Sequence, residues 1–118
     1  MKYSSDIKER TLDFGVSIIK LTNIFKGLKI DKDVIDQVRR SGTSVGANIN
    51  EGKSSMSRKE LVKFYSISLK SANETDYWFK LIKRGYELQN EFLESLHQEL
   101  NEIEKILATI IIKLKSND

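Results

Sequence analysis

The sequence predicts an all-α fold, an up-down-up-down antiparallel four-helix bundle, and three observations predict it. Apolar residues recur at steps of three and four almost throughout, the period of a helix with one buried face. There is no proline to break such helices, and only six glycines to punctuate them in 118 residues. The connections implied by the breaks in periodicity are short, which places consecutive helices side by side. A chain of this length is expected to form one domain with one core.

The first helix is expected over residues 6–26. Ile7, Thr11, Phe14, Ile18, Leu21 and Phe25 form its inner stripe, Asp6 and Glu9 could cap its start, and Gly27 could end it. The second is expected over 32–51, with Asp31 as N-cap, Ile30 and Ile35 as a hydrophobic staple, Val34, Val38, Val45 and Ile49 facing inward, and Gly52 as the stop. The third, over 58–86, opens on the clearest local signal: Ser57-Arg58-Lys59-Glu60 reads as a capping box with Met56 and Leu61 as its staple. Its stripe continues through Tyr65, Ser68, Ala72, Thr75, Phe79, Ile82 and Tyr86. Gly85 and the polar pair Gln89-Asn90 mark a turn, with Asn90 as N-cap of a fourth helix over 91–115. Leu93, Leu96, Leu100, Ile103, Leu107, Ile110 and Leu114 form its stripe.

One stretch breaks the pattern of a highly charged chain. Residues 41–50, SGTSVGANIN, carry no charge and are built from small residues on every side of the second helix. Two glycines make this a poor helix by propensity, so close packing of backbones must compensate. Ser44, Gly46, Ala47, Asn48, Glu51 and Gly52 are expected to be structural, with Asn48 and Glu51 setting register.

These residues also carry a resemblance. The Ser-Val-x-Ala-Asn-Ile-x-Glu-Gly pattern at residues 44–52, together with FYSISLKSANE at 64–74, resembles the four-helix bundle proteins encoded in intervening sequences of bacterial 23S ribosomal RNA genes. The same superfamily includes the accessory variability determinants of diversity-generating retroelements. The resemblance implies a four-helix bundle and a pentameric barrel, with nucleic acid or a protein as partner. Asn50 stands where many relatives carry a small residue, which makes that turn more polar.

Charge points to a surface. The net charge is +3, yet residues 87–104 hold six Glu and no Lys or Arg, so the remainder of the chain is +9. On the third helix Lys59, Lys63, Lys70, Lys80 and Arg84 fall within an arc of about 100°, with Tyr77 among them and no acid. Such a row attracts phosphates, and Tyr77 offers a face on which a base can stack. Arg39, Arg40, Lys53 and Arg58 could extend it from neighbouring helix ends. Phe64, Ile67 and Trp78 on one flank and Leu69 on the other widen the apolar arc of the same helix to about 200°, more than a bundle needs for its own core, and Phe64, Ile67 and Trp78 are expected at an oligomer interface. A solvated face and a merely well-buried helix are the plain alternatives.

Enzyme chemistry finds little footing. There is no cysteine and His97 is the one histidine, so no zinc set or nucleophile and base pair can be assembled. Glu94-Ser95-Leu96-His97 matches one Glu-x-x-His element of a di-iron bundle, but that site needs two. The expectation is therefore a protein without catalytic activity, cofactor, metal or small-molecule substrate. MKYSSDIKER has no apolar run of a secretory leader, and no stretch is apolar enough to span a bilayer, which together favour a cytoplasmic protein. A homo-oligomer that binds RNA or DNA is one reading. A protein-interaction scaffold is the other.

Overall fold

The computed structural model describes the backbone of residues 2–116 and the side chains of residues 7–116. Four α-helices account for nearly all of it: α1 (Lys2–Gly27), α2 (Lys32–Gly52), α3 (Arg58–Gly85) and α4 (Glu91–Ser116). Each helix packs against its neighbours in chain order and α4 closes on α1, so α1 and α3 lie across the bundle from each other. The body measures 49 × 20 × 19 Å. Among the described residues no helix is long and apolar enough to cross a membrane.

The helical stripes meet in one core. Ile7, Phe14, Ile18, Leu21 and Phe25 from α1 pack with Ile35, Val38, Val45 and Ile49 from α2, Tyr65, Ala72, Phe79 and Ile82 from α3, and the Leu93 to Ile110 stripe of α4. Thr11 is fully buried within it, its hydroxyl donating to the Ile7 carbonyl at 2.7 Å, so the polar atom costs nothing unsatisfied.

The helix ends obey a mixture of expected and unexpected rules. Ser57 caps α3, its hydroxyl accepting from the Glu60 N–H at 3.1 Å, and Asn90 caps α4 by accepting from the Leu93 N–H at 2.9 Å. The staple partner Met56, however, is 91% exposed and buries almost nothing. Asp31 makes no side-chain cap on α2. Its carboxylate instead accepts from the Tyr86 hydroxyl at 2.5 Å, and the same hydroxyl accepts from the Asp31 N–H at 3.1 Å. That pair ties the α1–α2 loop to the α3–α4 loop. The α1 backbone is already helical from Lys2, so Asp6 is not at an N-cap position; its side chain lies outside the described residues.

Neither Gly27 nor Gly85 takes a left-handed conformation. Lys29 and Glu87 do, with φ of 61° and 50°. Beyond α1 the Ile30 N–H reaches back to the Phe25 carbonyl at 3.3 Å, and beyond α3 the Leu88 N–H reaches the Lys83 carbonyl at 3.0 Å. Both are six-to-one closures of a Schellman turn, with Ile30 and Phe25 supplying its buried apolar contact.

The small-residue run divides into two halves of different character. Ser41, Gly42 and Val45 are buried. A Cβ at Gly42 would sit 2.6 Å from the Ile18 side chain, and one at Gly46 would sit 2.8 Å from the backbone oxygen of Thr11. At Gly46 two helix backbones are in contact, which only glycine permits. Gly52 lies against Leu61, Tyr65 and Phe64. Ala47 and Glu51, by contrast, are exposed, and half-buried Asn48 donates to the Ser44 carbonyl of its own helix at 2.8 Å. Ser44 likewise donates within α2, to the Arg40 carbonyl at 2.7 Å. Asn48 and Glu51 therefore do not set the register between helices. That task falls to buried hydroxyls: Ser68 of α3 donates to the Val45 carbonyl at 2.7 Å, and Thr75 of α3 lies 2.9 Å from the Ser41 hydroxyl.

Candidate nucleic-acid interface

With Tyr65, Ser68, Ala72, Thr75, Phe79 and Ile82 of α3 turned to the core, the helical period turns Lys59, Lys63, Lys70, Tyr77, Lys80 and Arg84 outward. All six are exposed. From Lys59 to Arg84 the row is roughly 37 Å long at the helical rise. Its neighbours modify the charge. Asp76, just outside the arc, holds the Lys80 Nζ at 2.9 Å, so Lys80 is partly neutralised by an i,i+4 partner that the arc itself does not contain. Among the described residues Lys59, Lys63, Lys70 and Arg84 make no ion pair.

The helix-end cations separate. Arg58, the first residue of α3, shares a depression with Lys59, Val62 and the late α4 residues Leu114 and Lys115. Lys53 sits at the α2–α3 corner, facing Lys8 of α1. Lys8 and Lys115 thus join the basic end of the bundle, and the sequence pattern of single helices does not reveal them because they come from elements brought together only by packing. Arg40 is exposed on α2. Arg39 is not part of the face: its guanidinium donates to the Thr22 hydroxyl at 3.1 and 2.6 Å and to the Asn23 side-chain oxygen at 3.3 Å, which fastens α2 to α1.

On the α4 side the row is bordered by a polar cluster that includes the chain's single histidine. His97 is 9% exposed and its ring stands edge-on to Phe79. Lys83 Nζ lies 2.7 Å from His97 Nδ1, and His97 Nε2 lies 2.6 Å from Asp76 Oδ1. An ammonium can only donate, so Nδ1 must accept and the ring proton resides on Nε2, directed at Asp76. Lys83 also holds Glu94 at 2.8 Å, and Asn101 donates to Asp76 at 3.1 Å. Glu94 and His97, the Glu-x-x-His pair, are both engaged with Lys83. Burial alone pushes the Asp76 carboxyl up, but hydrogen bonds from Lys80, His97 and Asn101 outweigh it and lower its pKa from 3.8 to about 2. Nearby Glu104 moves the other way, raised first by burial and further by the Asp76 charge.

The Asp76 shift has a consequence for acid stability. A carboxyl whose folded pKa is depressed stabilises the fold fully above its unfolded pKa and loses that contribution as pH falls through the folded value. Between about pH 4 and pH 2 the wild-type chain is expected to lose about 1–2 kcal/mol from this group, after allowance for its partial exposure. Urea unfolding of Asp76→Asn over that range is expected to show a correspondingly flatter acid limb and a lower stability at pH 7.

On the α2 side the row is flanked by exposed Glu74, which accepts from the Trp78 indole N–H at 3.4 Å, and then by apolar residues. Phe64 and Trp78 are half-buried and Ile67 is 38% exposed. Trp78 packs against the bundle's own core, so part of the wide apolar arc is explained within one chain. Across the bundle, α1 carries an apolar stripe that the sequence reading passed over: Leu12, Val16 and Ile19, at i, i+4 and i+7, are exposed, Leu12 by 60%. They line a groove of about 540 Å³ with Gly46 and Ala47. The signal was present in the sequence as a second apolar line on α1, behind the buried one.

The fold and face define a class: a four-helix bundle with a segregated charge and uncovered apolar flanks. Residues 4–109 match the 23S rRNA-intervening sequence protein family, and the chain belongs to that family. It is similar to a crystal structure of a protein of unknown function from the S23 ribosomal protein family of Bacteroides thetaiotaomicron VPI-5482, with a TM-score of 0.86 and 36% identity over 92% of this chain and 97% of that one. No curated protein has a matching sequence.

Proposed function

We propose that the chain is a non-enzymatic, cytoplasmic homo-oligomer that binds RNA or DNA through the basic face of α3. One contrast carries the reading. Arg10, Lys32 and Lys83 are each matched with a carboxylate at 2.6–2.8 Å, whereas Lys59, Lys63, Lys70 and Arg84 stand in a row on one helix face without an ion pair among the described residues, with Glu74 at its α2-side edge. A row of like charges costs helix stability, and a polyanion relieves that repulsion. Arg58, Lys53 and Lys115 add positive potential at the end where α3 begins, while Arg40, exposed on α2 next to Ser41, lies level with Thr75 in the middle of α3.

Within this reading successive helices run in opposite directions. The bond between Asp31 and Tyr86, which joins the first and third loops, and the shared depression of Lys8 with Ser57 and Leu61 both support that arrangement. Self-association rests on Phe64, Ile67 and Trp78 together with the α1 stripe, and on an acidic α4 able to meet a basic neighbour. The resemblance to accessory variability determinants makes five the copy number we propose, in a closed barrel. The α1 groove also favours a second reading, a scaffold that docks a protein partner and leaves nucleic acid alone.

Fluorescence anisotropy with labelled 20-nucleotide RNA and DNA separates the two. The nucleic-acid reading predicts binding at low salt that weakens with a log-log slope of roughly −0.7 to −0.9 per phosphate contact, near −3 for four contacts. Absence of binding to both single-stranded and duplex probes at low salt contradicts it and leaves the scaffold.

A further inference from the structure

Single-stranded and duplex nucleic acids ask for different surfaces, and three features of α3 fit the single strand. The first is shape. α2 and α4 flank α3 in a body only 20 × 19 Å across, so α3 does not project and cannot enter a major groove about 12 Å wide. A flexible strand, unlike a duplex, can follow a straight row of cations along its whole length.

The second feature is the border. Asp76, Glu94 and Glu104 run along the α4 side of the row, and Asp76 keeps its charge down to about pH 2. The second strand of a duplex laid on α3 would have to pass over these carboxylates. A single strand is narrow enough to avoid them and meets only Glu74, at the opposite edge of the row beside Trp78.

The third is a seat for a base. Near its C-terminal end α3 has an apolar depression of about 460 Å³ lined by Tyr77, Lys80, Leu81, Arg84 and Gly85. Tyr77 is 57% exposed, and its ring is braced edge-on by Trp78 with centroids 5.3 Å apart. Nothing lies within 4 Å of the position a Cβ would take at Gly85, which leaves the depression open at that end. Arg84 supplies a cation on its rim. Bases inside a duplex have both faces covered, so only an unstacked base can lie on Tyr77 and Leu81.

We propose that the basic face is selective for single-stranded RNA or DNA, with one unstacked base seated on Tyr77 and Leu81, its phosphate at Arg84, and the strand continuing along Lys70, Lys63 and Lys59. The inference rests on the nucleic-acid reading above and makes it more specific. Trp78, the chain's one tryptophan, reports on it because a base stacked on Tyr77 perturbs its neighbour's emission.

The test titrates the full chain with rU20, dT20 and a 20-base-pair duplex at about 50 mM salt, a concentration at which phosphate contacts are strong. At least one of the two single strands is expected to bind about 10-fold or more tightly than the duplex and to quench Trp78, the tighter of them identifying RNA or DNA as the source. Tyr77→Ala is expected to weaken single-strand binding about 10-fold and to remove the quench, as loss of one stacked base implies. Duplex affinity should not change, and Tyr77→Phe should restore both signals. Duplex binding as tight as single-strand binding, or a Tyr77→Ala variant equal to wild type, overturns the single-strand inference and leaves the broader reading standing. Failure of all three probes to bind overturns both.

Discussion

Gly46→Leu is expected to lower stability by about 3 kcal/mol and the melting temperature by roughly 10 °C or more. The reason lies in what a side chain there would meet. A Cβ at position 46 falls 2.8 Å from the Thr11 carbonyl oxygen and 3.0 Å from its carbon. Backbone cannot rotate away as a side chain can, so α1 and α2 must separate and their shared core opens. Gly46→Ala carries the same first contact, and its gain in helix propensity of up to about 1 kcal/mol does not offset it. Three controls show whether the explanation is correct. Ala47→Leu, one residue away but exposed, should leave the monomer fold intact. Gly42→Ala should destabilise, because the Ile18 side chain lies 2.6 Å from its Cβ position. Gly15→Ala has open space around it and should stabilise by about 0.5–1 kcal/mol. Thermal and urea unfolding of the set check the ordering.

The second large effect concerns binding. Replacing Lys59, Lys63, Lys70 and Arg84 together by Gln is expected to weaken nucleic-acid affinity about 10³-fold at 0.1 M salt, since each phosphate contact carries a log-log slope of about 0.7–0.9. The salt dependence should flatten by about three units at the same time. These side chains are exposed and take no part in the core, so the variant should melt within a few degrees of wild type. Lys80→Gln alone should matter less than any one of the four, because Asp76 already engages its ammonium. Affinity and melting measurements on the quadruple and single variants test both statements.

The buried stripes were legible in the sequence because a helix with one apolar side repeats every three to four residues, and Ile7 through Phe25 or Leu93 through Ile110 can hardly be arranged otherwise. The caps at Ser57 and Asn90 were legible for the same local reason. Lys29 and Glu87 were not: each occupies a left-handed position usually given to glycine, so residue type pointed two positions too early, to Gly27 and Gly85. Side chains with two available partners also escaped. Asp31 turned from its own helix to Tyr86, and Arg39 turned from the surface to Thr22. Both choices depend on which helices lie side by side, information that no single helix holds.

The basic row shows the same division. Its five cations follow from the pitch of α3 alone, whereas its carboxylate border forms from Asp76 on α3 and Glu94 and Glu104 on α4. The role of His97 was not legible, because its partners, Asp76 and Lys83, lie 21 and 14 residues away. The sequence showed an acidic segment and a basic helix. Packing made one the edge of the other.

Lysine footprinting tests the central claim most directly. The chain is acetylated briefly with and without a saturating 20-nucleotide strand, and modification is read residue by residue by mass spectrometry. Protection of Lys59, Lys63 and Lys70, with Lys20 on α1 and Lys105 on α4 modified as freely as before, is the result the account predicts. Protection spread evenly over the surface, or centred on α1 with the α3 lysines unchanged, would contradict it.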